Sequence, residues 1–263
     1  MIAAAMGTFE HDTTVTAHGD NTLGATIDET WWVGNGPNGG YVAAIAVRAL
    51  ETRIDTTDRP LRSFTVHYLR APRPGPIEIE VVPEREGGSV TFARVELAQE
   101  GRAFAVALAV LARSHEAPFT LDAAPAPEAA RPEEIEPGRI PASAPPMAHH
   151  FDARPALWST GEEAMSGGRL RLHDEPRELD AALVVAMCDS WLPPIFTKVR
   201  PAPAVPTLDL TVHLRGPLPR PGDWVLGRFT TRLVSDGLLE EDAELFATDG
   251  RLLAQSRQLA LVR

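Results

Sequence analysis

The chain has 263 residues, 44% of them hydrophobic, enough for one large domain or two of about 130 residues each. Its net charge of −11, with Lys198 the only lysine, excludes a nucleic-acid or anionic-membrane partner. The single cysteine, Cys188, excludes an internal disulfide framework and fits a reducing compartment. The opening "MIAAAMGTFEHD" has neither the basic region nor the apolar run of a signal peptide. No stretch reaches the roughly 18 apolar residues of a membrane helix. A soluble, cytoplasmic protein without a membrane partner is expected.

In chain order, the first informative stretch is "WWVGNGPNGGYVAAIAVRAL", residues 31–50. Gly34, Gly36 and Gly39 fit the G-x-G-x-x-G dinucleotide fingerprint. That fold needs a parallel strand after the helix, ending in an acid. Here "RSFTVHYL" follows, alternating Phe64, Val66 and Tyr68 with Ser63, Thr65 and His67, and it ends in "HYLRAP" with no acid. Its two unlike faces belong to an antiparallel sheet, so a nicotinamide or flavin cofactor is not expected. Asn38-Gly39-Gly40 instead opens a helix over 41–54, with Val42, Ile45, Ala46, Ala49 and Leu50 at helical spacing. The turn either packs that helix closely on a sheet or exposes its first amides to a carbonyl oxygen or anion. "PIEIEVVPE", "VTFARVEL" and "RAFAVALAVLA" continue the strands as a meander.

From Ser114 the chain turns proline- and alanine-rich, which forbids helix and central strand. Residues 114–150 are therefore read as a surface linker between an N-terminal unit, 1–113, and a C-terminal unit, 151–263. In the second unit "ELDAALVVAMCDSWL", from Glu178 to Leu192, has helical period and is stopped by Pro193 and Pro194. Four strands follow, near 206–215, 223–234, 238–248 and 251–262. The units resemble each other. "TVHYLRAPRPG" meets "TVHLRGPLPRPG", and "ELAQEGRAFAVALAVLAR" meets "ELFATDGRLLAQSRQLALVR", in the same order at nearly the same spacing. That is the mark of a duplication.

A helix wrapped by an antiparallel meander, made twice, is an α+β double hotdog. "GGYVAAIAVRAL", "RPLRSFTVHYLRAPRPGPIEIEV" and "GGSVTFARVELAQEGR" resemble the first half of the type II acyl-CoA thioesterases, the TesB-like family. "CDSWLPP", "PTLDLTVHLRGP" and "DGRLLAQSRQLALVR" resemble its second half. The resemblance implies hydrolysis of acyl-CoA or a related acyl thioester. It also implies a water held by an aspartate on the second helix, a threonine opening the next strand and a glutamine on the last strand. The matching residues are Asp189, Thr207 and Gln258. Gln258 aligns with Ala109 and Thr207 with Leu61 in the repeat, so folding alone does not require them. The residue types suit such chemistry, since a carboxylate accepts the water's proton while a hydroxyl and an amide fix its orientation. Gly39 and Gly40 are the candidate amide donors to the developing oxyanion.

Other chemistries fit less well. No G-x-S-x-G elbow is present, and Cys188 reads as core. His149 and His150 lie in the linker without ligands at metal spacing, so no metal is expected. His67 and His213 occupy equivalent repeat positions, as do Arg70 and Arg215, which speaks for structure. Trp31 and Trp32 read as core or interface, with acyl-pocket lining the lesser role. A hotdog hydratase or dehydratase would need a histidine partner that "DSWLPP" lacks. A non-catalytic acyl-thioester or lipid-binding module is the competing class. A homodimer or higher homo-oligomer is expected.

Overall fold

The computed structural model describes residues 8–18, 22–137, 140–141, 143–159, 161–173, 179–216, 218 and 224–263. A short helix α1 (Phe9–Asp12) and strands β1 (Thr16–Ala17) and β2 (Thr22–Ile27) lead into a small hairpin, β3 (Trp32–Val33) and β4 (Gly36–Pro37). Gly34, at φ 63, makes the turn of that hairpin. Helix α2 (Gly39–Arg53) follows, then the meander β5 (Leu61–Tyr68), β6 (Gly75–Glu86), β7 (Val90–Gln99) and β8 (Arg102–Ala112). The second unit has β9 (Phe151–Trp158), β10 (Ala164–Leu172), α3 (Ala181–Met187), β11 (Thr207–Leu214), β12 (Val225–Thr231), β13 (Val234–Ser235), β14 (Leu238–Phe246) and β15 (Leu252–Leu261).

Both meanders join in one antiparallel sheet, in the order β1-β2-β6-β7-β8-β5-β11-β15-β14-β12-β10-β9, with β13 on β14. The seam is β5 against β11, where Thr65 faces Thr211 and their hydroxyls lie 3.0 Å apart. Like residues face each other there, so a pseudo-two-fold axis runs between them. It relates β8 to β15 and β7 to β14 on either side. The duplication legible in the motifs is thus a rotation in the fold.

Alternation assigns the faces. On β7, Thr91, Ala93, Val95 and Leu97 are buried; on β14, Leu239, Glu241, Ala243 and Leu245. The inner faces curve around α2 and α3. From Gly40 to Val47 every residue of α2 is buried, and so is all of α3. A helix buried all round needs small residues where backbones approach. Gly40 meets that need: a Cβ there would come within 2.5 Å of the Ala186 carbonyl oxygen. The start of α2 therefore lies against the end of α3, and the two helices run antiparallel.

Between the units, residues 114–131 form no helix or strand. They are held to the outer face of the second sheet half, where Arg169 donates to the carbonyls of Ala129 and Ala130. Ala126 and Ala129 cover Leu157, Leu226 and Phe246 there. The two histidines expected in the linker end a 3-10 turn, Pro146–His150. His150 is buried and stacks on Trp31 at 3.7 Å, and Trp31 stacks in turn on Tyr41 at 4.9 Å. Trp31 is therefore core, its indole N–H donating to Asp12.

The second helix departs from expectation. Its predicted first residue, Glu178, lies outside the described residues. Asp180 caps the helix, its side chain accepting from the Leu183 amide at 2.8 Å. The helix then ends at Met187 rather than at Leu192. The amides of Asp189 and Ser190 bond back to Ala186 and Met187, three residues earlier, which tightens the last turn. Asp189 is thus in the turn beyond the helix, not on it. Among the described residues, no helix is long and apolar enough to cross a membrane.

Candidate active site

The turn after α3 delivers Asp189 to the first residues of α2. Asn38 caps α2, its Oδ1 accepting from the Tyr41 amide at 2.9 Å. The Asn38 Nδ2 group donates to the Asp189 backbone oxygen at 2.7 Å and to its carboxylate Oδ2 at 3.1 Å. The Gly40 amide donates to the same Oδ2 at 2.9 Å. Tyr68 holds the turn from below, its hydroxyl donating to the Gly39 carbonyl at 2.7 Å. A carboxylate at the end of its own helix opposes the dipole, but this one sits at the positive end of another.

This arrangement corrects the role expected of the glycines. Gly40 directs its amide at Asp189 rather than at a substrate oxyanion, because the carboxylate has taken the helix N-terminus. Gly39 is small for the same reason. A Cβ there would meet Asp189 Oδ2 at 2.9 Å and the Tyr68 hydroxyl at 3.1 Å.

Gln258 and Thr207 lie on the adjacent strands β15 and β11. The Thr207 hydroxyl donates to Gln258 Oε1 at 2.8 Å. The Gln258 amide group donates to Glu241 Oε1 at 2.9 Å and lies close enough to Asp189 to pull its carboxyl down. The three residues chosen from the sequence therefore come together. Burial pushes the Asp189 carboxyl up to about 6, against the opposing pull of Gly40, Gln258, Gly39 and Asn38. It is ionised at neutral pH yet far more basic than an exposed aspartate, as a general base should be.

Asn38, Tyr68 and Glu241 were missed as site residues. Asn38 read only as part of a turn, and Tyr68 as one of an alternating set. Glu241 carried a signal: on "LLEEDAELF" it falls in the buried register between Leu239 and Ala243, where an acid is costly. Cys188 is buried and its thiol is pushed up to about 12 by desolvation, so it supplies no thiolate. His67 and His213 are exposed at matching places on β5 and β11. Among the described residues, no group of three or more His, Cys, Asp or Glu is placed to hold a metal.

The pseudo-two-fold axis supplies a second, altered copy of this corner. There the residue capping α3, Asp180, meets Arg48 near the end of α2 in an ion pair. Arg48 thus stands where the other copy has Asp189. The neighbouring strand positions are Leu61 and Ala109, both buried, for Thr207 and Gln258.

Comparison with known proteins agrees with this geometry. The family model "Acyl-CoA thioesterase C-terminal domain" matches residues 120–262, and "Acyl-CoA thioesterase N-terminal domain" matches residues 27–112. The chain belongs to the acyl-CoA thioesterase family. The thioesterase is 28% identical to an uncharacterized protein of Mycobacterium tuberculosis, over 90% of this chain and 89% of that one. Its fold resembles a hot dog protein of unknown function from Alicyclobacillus acidocaldarius, with TM-score 0.89, 23% identity, and coverage of 98% and 99% of the two chains. It also resembles an acyl-CoA thioesterase II from Mycobacterium marinum, with TM-score 0.79, 19% identity, and coverage of 97% and 98%. The double hotdog is thus the fold of this thioesterase.

Proposed function

We propose that this thioesterase hydrolyses acyl-CoA with a water activated by Asp189 and oriented by Gln258 and Thr207. The observation that carries the reading is the Asp189 carboxyl: enclosed, pushed up to about 6, accepting from Gly40 and flanked by Gln258. Ionised at neutral pH, it accepts a proton as the water oxygen adds to the thioester carbonyl carbon. The tetrahedral intermediate then expels the thiolate, the C–S bond breaks, and protonated Asp189 returns the proton to sulfur. The products are a carboxylic acid and free CoA. General-base help of this kind contributes about 10²–10⁴-fold. In this scheme the glycine amides act on the base and not on the substrate: they keep Asp189 ionised at neutral pH.

Incubation with acyl-CoAs of graded chain length and a thiol reagent tests it. Release of CoA thiol, lowered about 100-fold or more in Asp189→Asn, is expected. No thiol release from any acyl-CoA, or full rate in that variant, would overturn the proposal.

A further inference from the structure

The register of the second sheet half aligns a row of polar residues on its inner face. Gln258 of β15 faces Glu241 of β14. Thr231 of β12 is next in line, since its neighbour Thr230 pairs with Asp242. All three are buried, Glu241 with 4% of its surface exposed and Thr231 with 3%. On the other side of Gln258 the row turns apolar, through Leu210 of β11 and Val66 of β5. In the first half, Ala109 faces Ala93 at the matching place, and both are buried. The same fold therefore packs this position with alanine, and a carboxyl there serves something other than folding.

Gln258 shows what that is. Its oxygen accepts from Thr207 and its amino group donates to Glu241, while its amide, beside Asp189, pulls that carboxyl's pKa down. Thr207 does not set the orientation, because a hydroxyl donates or accepts equally well. The Asp189 carboxylate, ionised at neutral pH and able only to accept, sets it, and the Glu241 carboxyl oxygen takes the second N–H. A flipped amide would turn its oxygen towards that carboxylate and lose the N–H that Glu241 accepts. We infer that Glu241 is a positioning residue for hydrolysis: its buried carboxyl accepts one Gln258 N–H and so aims the other at Asp189. This rests on the proposed role of Asp189 as base.

The protonation state of Glu241 matters to that role. Burial, and then the charge of Asp189, push its carboxyl up to about 8, with the Gln258 hydrogen bond pulling the other way. The ionisable groups around it are Asp189 from the turn after α3, and Glu240 and Asp242 on its own strand. Asp242 is paired with Arg257 and Arg232, and Glu240 with Arg232. Thr231 faces it from β12. Below about pH 8 Glu241 is neutral, accepts one amide N–H and adds no charge beside Asp189. Above that value a full charge draws the Gln258 amide away from the base.

Three variants test the inference: Glu241→Leu, Glu241→Gln, and Asp189→Asn as the control. Misplacing an orienting group by about 1 Å costs on the order of 10²-fold. Glu241→Leu should fold, unfold no earlier than the parent at pH 8, and lose tenfold or more in kcat with KM within about twofold. Glu241→Gln keeps an acceptor oxygen and should recover most of that kcat. It should also lack the fall in kcat that the parent shows above about pH 8. Parental kcat in Glu241→Leu, no recovery in Glu241→Gln, or an unchanged alkaline fall in Glu241→Gln would each overturn the inference. The control keeps the two ideas apart. An inactive Asp189→Asn beside a fully active Glu241→Leu sinks only the role of Glu241. An active Asp189→Asn sinks the reading of the site itself.

Discussion

Replacing Asp189 by asparagine should abolish hydrolysis and at the same time stabilise the fold. The carboxyl is raised from an ordinary 3.8 to about 6, chiefly by burial. The folded protein therefore keeps a proton that the unfolded chain has lost between those values. Stability falls as pH rises through that window and stays lower above it. At about 1.4 kcal/mol per tenfold change, the ionised group costs up to about 3 kcal/mol at pH 8. Asparagine fits the same space, accepts from Gly40, and carries no charge to desolvate. For a chain of this size each kcal/mol moves Tm by about 2–4 °C, so the variant should melt up to about 6–12 °C later at pH 8. Near pH 4 the two proteins should melt together. Glu241 titrates in both, but lower in the variant, because the Asp189 charge that helps to raise it is gone; this adds to the variant's gain in stability near pH 8. Differential scanning calorimetry at pH 4, 5, 6, 7 and 8 reads the whole curve. A variant that melts earlier at pH 8, or a difference that does not change with pH, refutes the assignment of desolvation as the dominant effect on this carboxyl.

Gly39→Ala and Gly40→Ala should separate chemistry from packing. The first pushes a methyl against Asp189 Oδ2 and Tyr68 and should lower kcat about tenfold or more in a protein that still folds. The second drives a methyl into the Ala186 backbone and should cost several kcal/mol of stability, seen as lost soluble yield or an early thermal transition. Asn38→Ala removes the α2 cap, worth about 1 kcal/mol. It also removes a hydrogen bond that lowers the Asp189 carboxyl, so the acid limb of kcat/KM, expected near pH 6, should move to higher pH.

Those residues also show how much of the molecule was readable beforehand. The two-period pattern around 41–54 and 61–68 marks one helix followed by a two-faced strand, and the matched motifs mark its repetition. Both depend on spacing within a short stretch, which sequence displays directly. Asp189, Thr207 and Gln258 were reached through family likeness, and the apolar Leu61 and Ala109 at the places of Thr207 and Gln258 in the first repeat sharpened the choice. The partners of Asp189 at the start of α2 were not legible, because they lie in the other repeat: Asn38 is 151 residues from it in sequence. No local pattern records such a contact. The end of α3 was misjudged for the same reason, since the turn at Asp189 forms where α2 of the other repeat meets it. The purpose of the glycines was taken to be the substrate because nothing nearby in sequence offered them an anion.

The fused seam at Thr65 and Thr211 has an evolutionary corollary. Were the two units separate, identical subunits, every substitution would appear at both corners of the assembly, and an arginine at one would disarm the other. Covalent tandem linkage lifts that constraint. One corner was free to become a structural clasp through Arg48 and Asp180 while its sibling kept an acid. Neither unit is self-sufficient any longer: the amides and phenol that seat the acid come from the first copy, and the acid itself from the second.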